Sequence, residues 1–176
     1  MLFHATPLSG VVLLEPERKE DERGFFARTW CRQELAAHGL EMEVVQCSVS
    51  YNHKAGTVRG MHYQAAPREE IKVVRCTAGA IFDVVIDLRP GSPTFRKWTS
   101  AELTAKNRLA FYIPKGCAHG LQTLADDSEV LYLIGEQYDP ALSRGVRFDD
   151  PAFGIRWPLP VACISDRDRT YPDFTG

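Results

Sequence analysis

Short apolar runs alternate with turn residues along most of the 176-residue chain. The runs are rich in Val, Ile, Tyr and Phe, and this composition, interrupted by Gly, Pro, Asn and Asp, is typical of β-strands joined by turns. The predicted strands are Gly10–Leu14, Glu43–Ser50, Thr57–Gln64, Glu70–Cys76, Ala80–Leu88, Trp98–Leu103, Leu109–Ile113 and Ser128–Glu136. Ala78–Gly79 lies between two of these runs and predicts a hairpin turn.

Helical signals are scarce. Only Arg32–His38 has a convincing helical pattern, and Gly39 ends it. Many strands with few helices indicate an all-β sandwich or barrel rather than a parallel α/β sheet. From about residue 149 the chain carries four prolines (Pro151, Pro158, Pro160 and Pro172), which predict an irregular C-terminal wrap with short helical turns. Neither a repeat nor a linker is visible, so we expect a single domain over residues 1–176.

Composition narrows the possible partners. Hydrophobic residues make up 44% and charged residues 25%, which are ordinary globular values. The 21 Lys and Arg nearly balance the 23 Asp and Glu, and no basic run stands out. We therefore expect no nucleic-acid partner. The longest apolar runs, such as Val11–Leu14 and Ile81–Ile86, fall far short of the ~20 residues of a membrane span, so no membrane association is expected.

The five cysteines are scattered and odd in number, with no Cys-x-x-Cys pair. A disulfide framework or a zinc site is therefore not expected. The beginning of the chain shows no signal-peptide pattern. Free thiols without an export signal predict a cytoplasmic location.

Two histidines stand in structured contexts beside glycines. His62 ends a Gly-x5-His spacing that starts at Gly56, and His119 ends a Pro-x-Gly-x2-His spacing. These spacings resemble the two halves of the cupin barrel signature. Because side chains alternate along a strand, His62 and Gln64 share one face.

The same residues leave a metal-binding interpretation open. Metal-binding cupins carry a second histidine two residues after the first, and here that position is Gln64, a poor ligand. Glu70 follows near the position of an acidic ligand, so two histidines and one carboxylate could bind a metal ion. The structural alternative is that both are satisfied interior histidines, which the paired contexts make less favoured.

Lys72 and Tyr132 could complete a proton-transfer site with His62. Lys72 lies on an otherwise apolar strand, and if it faces a polar cavity it would stabilise a developing oxyanion. Tyr132 could be an ordinary core aromatic, but a buried hydroxyl can also act as a general acid. A base, an oxyanion stabiliser and an acid on facing strands suit the removal and return of a proton beside a ketone. Such an epimerase needs no metal and no redox cofactor.

The sequence resembles the nucleotide-sugar 3,5-epimerases typified by dTDP-4-dehydrorhamnose 3,5-epimerase. The matching stretches span nearly the whole chain in the order of the family. They are Asp21–Phe26, Gly56–Gln64, Asp83–Arg89, Ser92–Phe95, Ile113–Gly120, Asp149–Pro151 and Ile164–Asp168.

This resemblance implies a cupin-type jelly-roll barrel, a homodimer, and a site in the mouth of the barrel. It implies that His62 is the base that removes the proton next to the C4 ketone, with Asp168 orienting the imidazole. Lys72 would stabilise the enolate oxygen, and Tyr132 would return a proton from the opposite face. The implied product is a nucleotide-linked 4-keto-6-deoxy sugar inverted at C3, at C5 or at both.

The resemblance also implies a set of contacts to the nucleotide diphosphate or the sugar. The residues are Arg23, Gln46, Ser48, Arg59, His119, Tyr138 and Arg167. Arginine suits a diphosphate because its planar fork bonds phosphate oxygens in pairs. Strict alternation would place Arg59 on the face opposite His62, so we expect a bulge at Gly60 that redirects it.

Four positions depart from the family pattern. The family has acids where Arg28 and Ser143 stand, Asn where Ser48 stands and Gln where Glu70 stands. None of these changes removes a predicted catalytic group. The expected substrate is dTDP-4-dehydro-6-deoxyglucose, with a CDP- or GDP-linked 4-keto sugar as the alternative. A metal-dependent cupin enzyme and a non-catalytic sugar-nucleotide binder are the less favoured alternatives.

Overall fold

The structure, a computed structural model, describes residues 1–176 and contains thirteen strands and two short helices. The strands are β1 (Leu2–Ala5), β2 (Val12–Glu15), β3 (Arg18–Asp21), β4 (Gly24–Ala27), β5 (Gln46–Asn52), β6 (Val58–Gln64), β7 (Lys72–Ala78), β8 (Ala80–Asp87), β9 (Trp98–Thr104), β10 (Ala110–Ile113), β11 (Cys117–Thr123), β12 (Ser128–Ile134) and β13 (Ser143–Gly145). The helices are α1 (Arg32–Ala37) and α2 (Asp166–Arg169). The predicted all-β class is confirmed.

Two antiparallel sheets form the body of the protein. The six-stranded sheet has the order β1-β2-β10-β7-β12-β5, and the five-stranded sheet has the order β13-β6-β11-β8-β9. Strands β3 and β4 form a separate hairpin. Each of the eight predicted strands corresponds to a strand of these two sheets, and the predicted helix corresponds to α1.

The hairpin predicted at Ala78–Gly79 is wrong. Strand β7 belongs to the six-stranded sheet and β8 to the five-stranded sheet, so the turn carries the chain from one sheet to the other. Gly79 has φ +72°, and a Cβ at this position would collide with Ser128. The Ser128 hydroxyl donates to the Ala80 carbonyl, which fixes the start of β8 at this crossing.

Apolar side chains fill the space between the sheets and cover both outer faces. The central core combines residues of both sheets, among them Val74 from β7, Val85 from β8 and Phe111 from β10. Helix α1 covers the outer face of the six-stranded sheet through Leu35. The burial of these faces is the main source of stability for such a fold.

The outer face of the five-stranded sheet is covered by the C-terminal segment. Phe153, Trp157 and Phe174 pack against the side chains that β6, β8 and β11 present on that face. The Asp150 carboxylate accepts a hydrogen bond from the Phe174 amide at 2.6 Å. After Asp150 the chain contains no strand and only the short helix α2. No helix is long and apolar enough to cross a membrane.

Candidate active site

His62 and Asp168 form a hydrogen-bonded pair at the surface of the five-stranded sheet. His62 lies on β6, and its Nε2 is 2.6 Å from Oδ1 of Asp168. Asp168 lies in α2, where the Ser165 hydroxyl caps the helix by accepting a hydrogen bond from the Asp168 amide. The imidazole is 39% exposed, whereas the carboxylate is 6% exposed. The C-terminal segment therefore supplies a buried carboxylate to an accessible histidine.

The second oxygen of Asp168 accepts a hydrogen bond from the Gly60 amide at 3.1 Å. Burial alone would raise the pKa of this carboxyl, but the hydrogen bonds from His62 and Gly60 outweigh it and lower the pKa below its ordinary value. Asp168 is therefore ionised at neutral pH and can hold a protonated imidazole.

A β-bulge in β6 brings Arg59 to the same side of the sheet as His62. His62 pairs with His119 and Arg59 pairs with Leu121, so two residues of β6 oppose the single residue Gly120 of β11. Arg59 and His62 line one cavity. The bulge predicted at Gly60 is therefore present, and it redirects Arg59 as expected.

The bulge depends on a close approach of two glycines. Gly60 has φ +122°, and a Cβ there would lie 2.6 Å from the Gly120 Cα. Any side chain at this position would both strain the backbone and push β6 from β11. The strand that carries His62 is thus fixed by a contact that only glycine permits.

A second histidine–carboxylate pair lies directly across from the first. His119 is the register partner of His62, and its Nε2 is 2.8 Å from Oδ1 of Asp83 on β8. Both side chains of this pair are buried. Oδ2 of Asp83 has no hydrogen-bond partner, and burial raises the pKa of this carboxyl despite the opposing effect of His119. The two pairs thus differ sharply in environment.

Lys72 and Tyr132 face the same cavity from the six-stranded sheet. Lys72 begins β7, and its Nζ lies 2.7 Å from Oε1 of Glu70. The Tyr132 ring makes an edge contact with the His119 ring, with centroids 6.0 Å apart. Burial raises the pKa of Tyr132 to about 12, so its hydroxyl keeps its proton throughout the neutral range.

Two neighbouring cavities, of about 280 and 400 Å³, share His62 and Arg167. The smaller cavity is lined by His62, Tyr63, Gln64, Glu70, Lys72, Tyr132, Ile134, Tyr138, Ser143 and Arg167. The larger cavity is lined by Thr57, Val58, Arg59, His62, Cys163, Ile164, Ser165, Arg167 and Asp168. Three of the four predicted catalytic residues line the smaller cavity, and Asp168 lines the larger one.

Six of the seven predicted substrate-binding residues lie in the two cavities or close to the residues that line them. Arg59, Tyr138 and Arg167 line the cavities, and Gln46 accepts a hydrogen bond from the Tyr138 amide at 2.7 Å. His119 is buried and its ring contacts the Tyr132 ring, and Ser48 is the exposed register partner of Tyr132.

Arg23 is the exception among the predicted binding residues. It lies on the exposed turn of the β3–β4 hairpin, where it pairs with Asp21. It lines neither of the two cavities beside His62. Its predicted contact with substrate therefore stays a prediction.

Sequence reasoning overlooked two site residues. Asp83 interrupts an apolar run, and an acid in such a run is a signal for a buried polar contact. Tyr171 follows α2; its ring lies 6.3 Å from the His62 ring and 5.8 Å from the Arg167 guanidinium carbon. No local pattern marked Tyr171, because its position depends on how the C-terminal segment folds back.

The three ligands of the metal-binding alternative are not brought together. His62 is paired with Asp168, His119 with Asp83, and Glu70 with Lys72. No group of three His, Cys, Asp or Glu side chains is placed to hold a metal ion. That alternative therefore lacks its ligand set.

A β-sandwich with a histidine–carboxylate pair, a lysine and a tyrosine around one cavity defines a class of acid–base enzymes. The family model described as dTDP-4-dehydrorhamnose 3,5-epimerase matches residues 5–176. A relative of that name from Sinorhizobium fredii is 40% identical, over 99% of this chain and 90% of its own length. The chain belongs to the dTDP-4-dehydrorhamnose 3,5-epimerase family and is an isomerase.

Solved structures agree with this assignment. The dTDP-4-dehydrorhamnose 3,5-epimerase of Bacillus anthracis, with TDP and PPi bound, is 38% identical with a TM-score of 0.95, covering 98% of this chain and 99% of that chain. A 3'-monoepimerase from Streptomyces bikiniensis, in complex with dTDP-quinovose, is 34% identical with a TM-score of 0.88, covering 97% and 86%. The predicted recognition, fold class and enzyme class are confirmed, and the alternative of a non-catalytic binder is set aside.

Proposed function

We propose that the protein removes and returns a proton next to the C4 ketone of dTDP-4-dehydro-6-deoxyglucose, inverting C3 and C5 or one of them. The observation that carries the proposal is the accessible His62–Asp168 pair in a cavity shared with Lys72 and Tyr132. The thymidine nucleotide is proposed because similar structures hold TDP or dTDP-quinovose.

His62 acts as the general base. Its Nε2 is occupied by Asp168, so Nδ1 is the ring nitrogen left to take the proton from carbon. The ionised Asp168 stabilises the imidazolium that forms and keeps the ring in one orientation. The buried carboxylate moves little, because the Gly60 amide holds its other oxygen.

Lys72 stabilises the enolate. When the carbon loses its proton, negative charge develops on the former ketone oxygen, and an ammonium in a water-poor cavity stabilises it strongly. Lys72 suits this role because it is 10% exposed and faces the same cavity as His62.

Tyr132 returns the proton. It reaches the cavity from β12 of the six-stranded sheet, whereas His62 belongs to the five-stranded sheet, so the two groups approach from different sheets. Its pKa of about 12 keeps the phenol protonated, as an acid must be. Protonation on the face opposite to abstraction inverts the carbon.

Arginines bind the diphosphate. Arg59 and Arg167 lie in the larger cavity, and the Arg167 Nη2 donates to the Ser143 hydroxyl at 2.8 Å. No carboxylate pairs with either arginine. Arg59 donates from Nε to Oδ1 of Asn52 at 2.6 Å, which orients the guanidinium and leaves its other donors for phosphate oxygens. Gln46, Ser48 and Tyr138 complete the contacts to sugar and base in this proposal, and the buried His119 supports Tyr132 at the wall of the cavity.

A homodimer is part of the proposal. Edge strand β5 exposes Val49 and Tyr51, at 57% and 47%, and Phe26 of the β3–β4 hairpin is 74% exposed. Such apolar surface favours burial against another protein. A second copy would also explain how Arg23, remote from the cavity of its own protomer, could contact substrate. Sedimentation equilibrium of wild type and of a Val49→Asp variant tests this point: a monomeric wild type contradicts the dimer.

We further propose that the enzyme works in the cytoplasm. All five cysteines are free thiols, and a reducing compartment keeps them so.

The test of function is proton NMR in deuterated buffer with dTDP-4-dehydro-6-deoxyglucose. Loss of both the C3 and C5 proton signals is expected for a 3,5-epimerase, and loss of one signal identifies a single-centre enzyme. Absence of exchange with this substrate would contradict the thymidine assignment. The same assay with CDP- and GDP-linked 4-keto sugars then tests the alternative nucleotides. These alternatives are considered because Arg28 stands where the family pattern has an acid.

The variant Tyr132→Phe separates abstraction from return of the proton. Exchange should continue, because His62 and Lys72 remain, whereas formation of the inverted product should fall about 10²-fold with the loss of the acid. Product NMR and deuterium uptake are measured on the same sample. Full inversion by this variant would remove Tyr132 from the mechanism.

A further inference from the structure

Glu70 makes a direct ion pair with the lysine that faces the cavity. Its Oε1 lies 2.7 Å from the Lys72 Nζ, and the two side chains are only 13% and 10% exposed. Both residues line the smaller cavity, together with His62 and Tyr132. The pair therefore lies inside the site and not on the outer surface.

The local sequence brings the two side chains to one face. Lys72 begins β7, and Glu70 lies two residues before it in the preceding loop; both side chains line the smaller cavity. The residue between them, Ile71, packs against the apolar cluster that contains Leu35, on the outer face of the six-stranded sheet. The Ile71 carbonyl accepts a hydrogen bond from the Gly135 amide at 2.9 Å. Packing of Ile71 thus fixes which face Glu70 occupies.

Glu70 is the principal anchor of the Lys72 ammonium. A lysine side chain is flexible, and its ammonium has three donors. Its other protein contact is the His62 carbonyl at 3.5 Å, at the outer limit of a hydrogen bond. The Asp83 carboxylate is close enough for the charge of Lys72 to act on its pKa, but it forms no ion pair with the ammonium.

We propose that Glu70 is a positioning residue that holds the Lys72 ammonium beside His62, where the enolate oxygen develops. The inference rests on the proposed function, in which Lys72 stabilises the enolate. One ammonium hydrogen is held by Glu70 and a second lies near the His62 carbonyl, which leaves a donor for the enolate oxygen. Glu70 itself exchanges no proton with the substrate.

Replacements of Glu70 should reduce turnover in a graded way. Glu70→Gln keeps an acceptor oxygen of weaker strength, so kcat for deuterium uptake should fall about threefold. Glu70→Met keeps the volume but removes the acceptor, and kcat should fall about tenfold or more through loss of preorganisation. The affinity for dTDP, which lacks the sugar, should stay within about twofold in both variants. Glu69→Gln and Glu69→Met are matched controls one residue away, and they should have wild-type kcat.

A double-mutant cycle links the effect to Lys72. In a Lys72→Met background, Glu70→Met should change the exchange rate by less than about twofold, since its only target is gone. An equal loss in both backgrounds would show that Glu70 acts independently of Lys72, and the proposal would fail. Wild-type kcat in Glu70→Met would overturn it as well.

A measurement without substrate separates this proposal from the proposed function. Ammonium protons held in a hydrogen bond exchange slowly enough for ¹H–¹⁵N NMR, and Lys72→Arg identifies the Lys72 signal. The signal should be present in wild type and lost in Glu70→Met. Its persistence in Glu70→Met contradicts the positioning role, whatever substrate the enzyme uses. Absent exchange in wild type, with the signal behaving as expected, contradicts only the proposed function.

Discussion

The two histidine–carboxylate pairs of this protein are neighbours with opposite surroundings. His62 and His119 are register partners on β6 and β11, and each Nε2 lies within 2.8 Å of a carboxylate oxygen. In the first pair the imidazole is 39% exposed, and in the second it is 5% exposed. Asp168 has a lowered pKa, whereas burial raises the pKa of Asp83.

The difference shows that the same pair of residues takes its role from its environment. Asp168 accepts hydrogen bonds from both His62 and Gly60, so its negative charge is stabilised and available to an imidazolium. Asp83 leaves one oxygen without a partner, in a place that disfavours its charge. The first pair is suited to proton transfer from a substrate, and the second to holding the wall behind Tyr132.

Removal of the accessible imidazole should have the largest effect. His62→Ala should lower deuterium uptake from solvent into substrate by about 10³-fold, because the proposed mechanism assigns proton abstraction to this imidazole. The measurement is the initial rate of loss of the C3 and C5 proton signals. His53→Ala, which changes an exposed histidine outside the cavities, is the control and should exchange normally. Exchange by His62→Ala at the wild-type rate would contradict the assignment of proton transfer to the His62–Asp168 pair.

Neutralising the two carboxylates should separate catalysis from stability. Asp168→Asn should lower the exchange rate about 10²-fold, because the imidazolium loses its counter-charge. Asp83→Asn should lower the exchange rate about tenfold or less, since the Asp83 carboxylate is hydrogen-bonded only to the buried His119. Both rates come from the same NMR assay, and a larger loss for Asp83→Asn would reverse our assignment of the two pairs.

The same two variants should differ in the sign of their stability change near pH 7. The lowered pKa of Asp168 means that its charge stabilises the folded state above the unfolded pKa, so Asp168→Asn should lower the free energy of unfolding by about 2 kcal/mol. The raised pKa of Asp83 means that its charge opposes folding at neutral pH, so Asp83→Asn should leave that free energy equal or higher. Urea unfolding of both variants provides the comparison.

Ionisation of Tyr132 should have the smallest effect on stability, and only in alkali. Its pKa is about 12 in the folded state against about 10 in the unfolded chain, so the folded state binds more protons between these values. Stability is therefore lost as pH rises, by about 1.4 kcal/mol at pH 11. Between pH 9 and pH 11, the free energy of unfolding of Tyr132→Phe should therefore fall by about 1.4 kcal/mol less than that of the wild type. Urea unfolding at the two pH values measures the difference. An identical loss in both proteins would place the Tyr132 hydroxyl in a less buried environment.

Most strands could be predicted because they are short runs of apolar residues, either continuous as in β10 or alternating with polar ones. Strand β11 escaped prediction because it buries polar side chains, among them His119, Gln122 and Thr123. Each of these has a distant partner: Asp83 for His119, Leu159 for Gln122 and Lys54 for Thr123. A pattern of hydrophobicity cannot reveal partners of this kind.

The resemblance could name most residues of the candidate site, but it could not provide their arrangement. The resemblance indicated His62 and Asp168, although 106 positions separate them and no local rule pairs them. The bulge at Gly60 could be predicted because strict alternation would have placed Arg59 on the face opposite His62. The ion pair of Glu70 with Lys72 depends on the orientation of two flexible side chains, which only the structure gives.

The docking of the C-terminal segment makes catalytic activity a reporter of local unfolding. Asp168 reaches His62 only because this segment packs on the five-stranded sheet and forms a bridge between Cys163 and Thr57. Local opening of such a segment costs less than global unfolding, and it leaves both sheets paired. Activity should therefore disappear at a lower urea concentration than the circular dichroism of the sheets. In the range between, the protein would be a folded barrel whose base has no counter-ion, and dilution of the urea would restore turnover without refolding of the core.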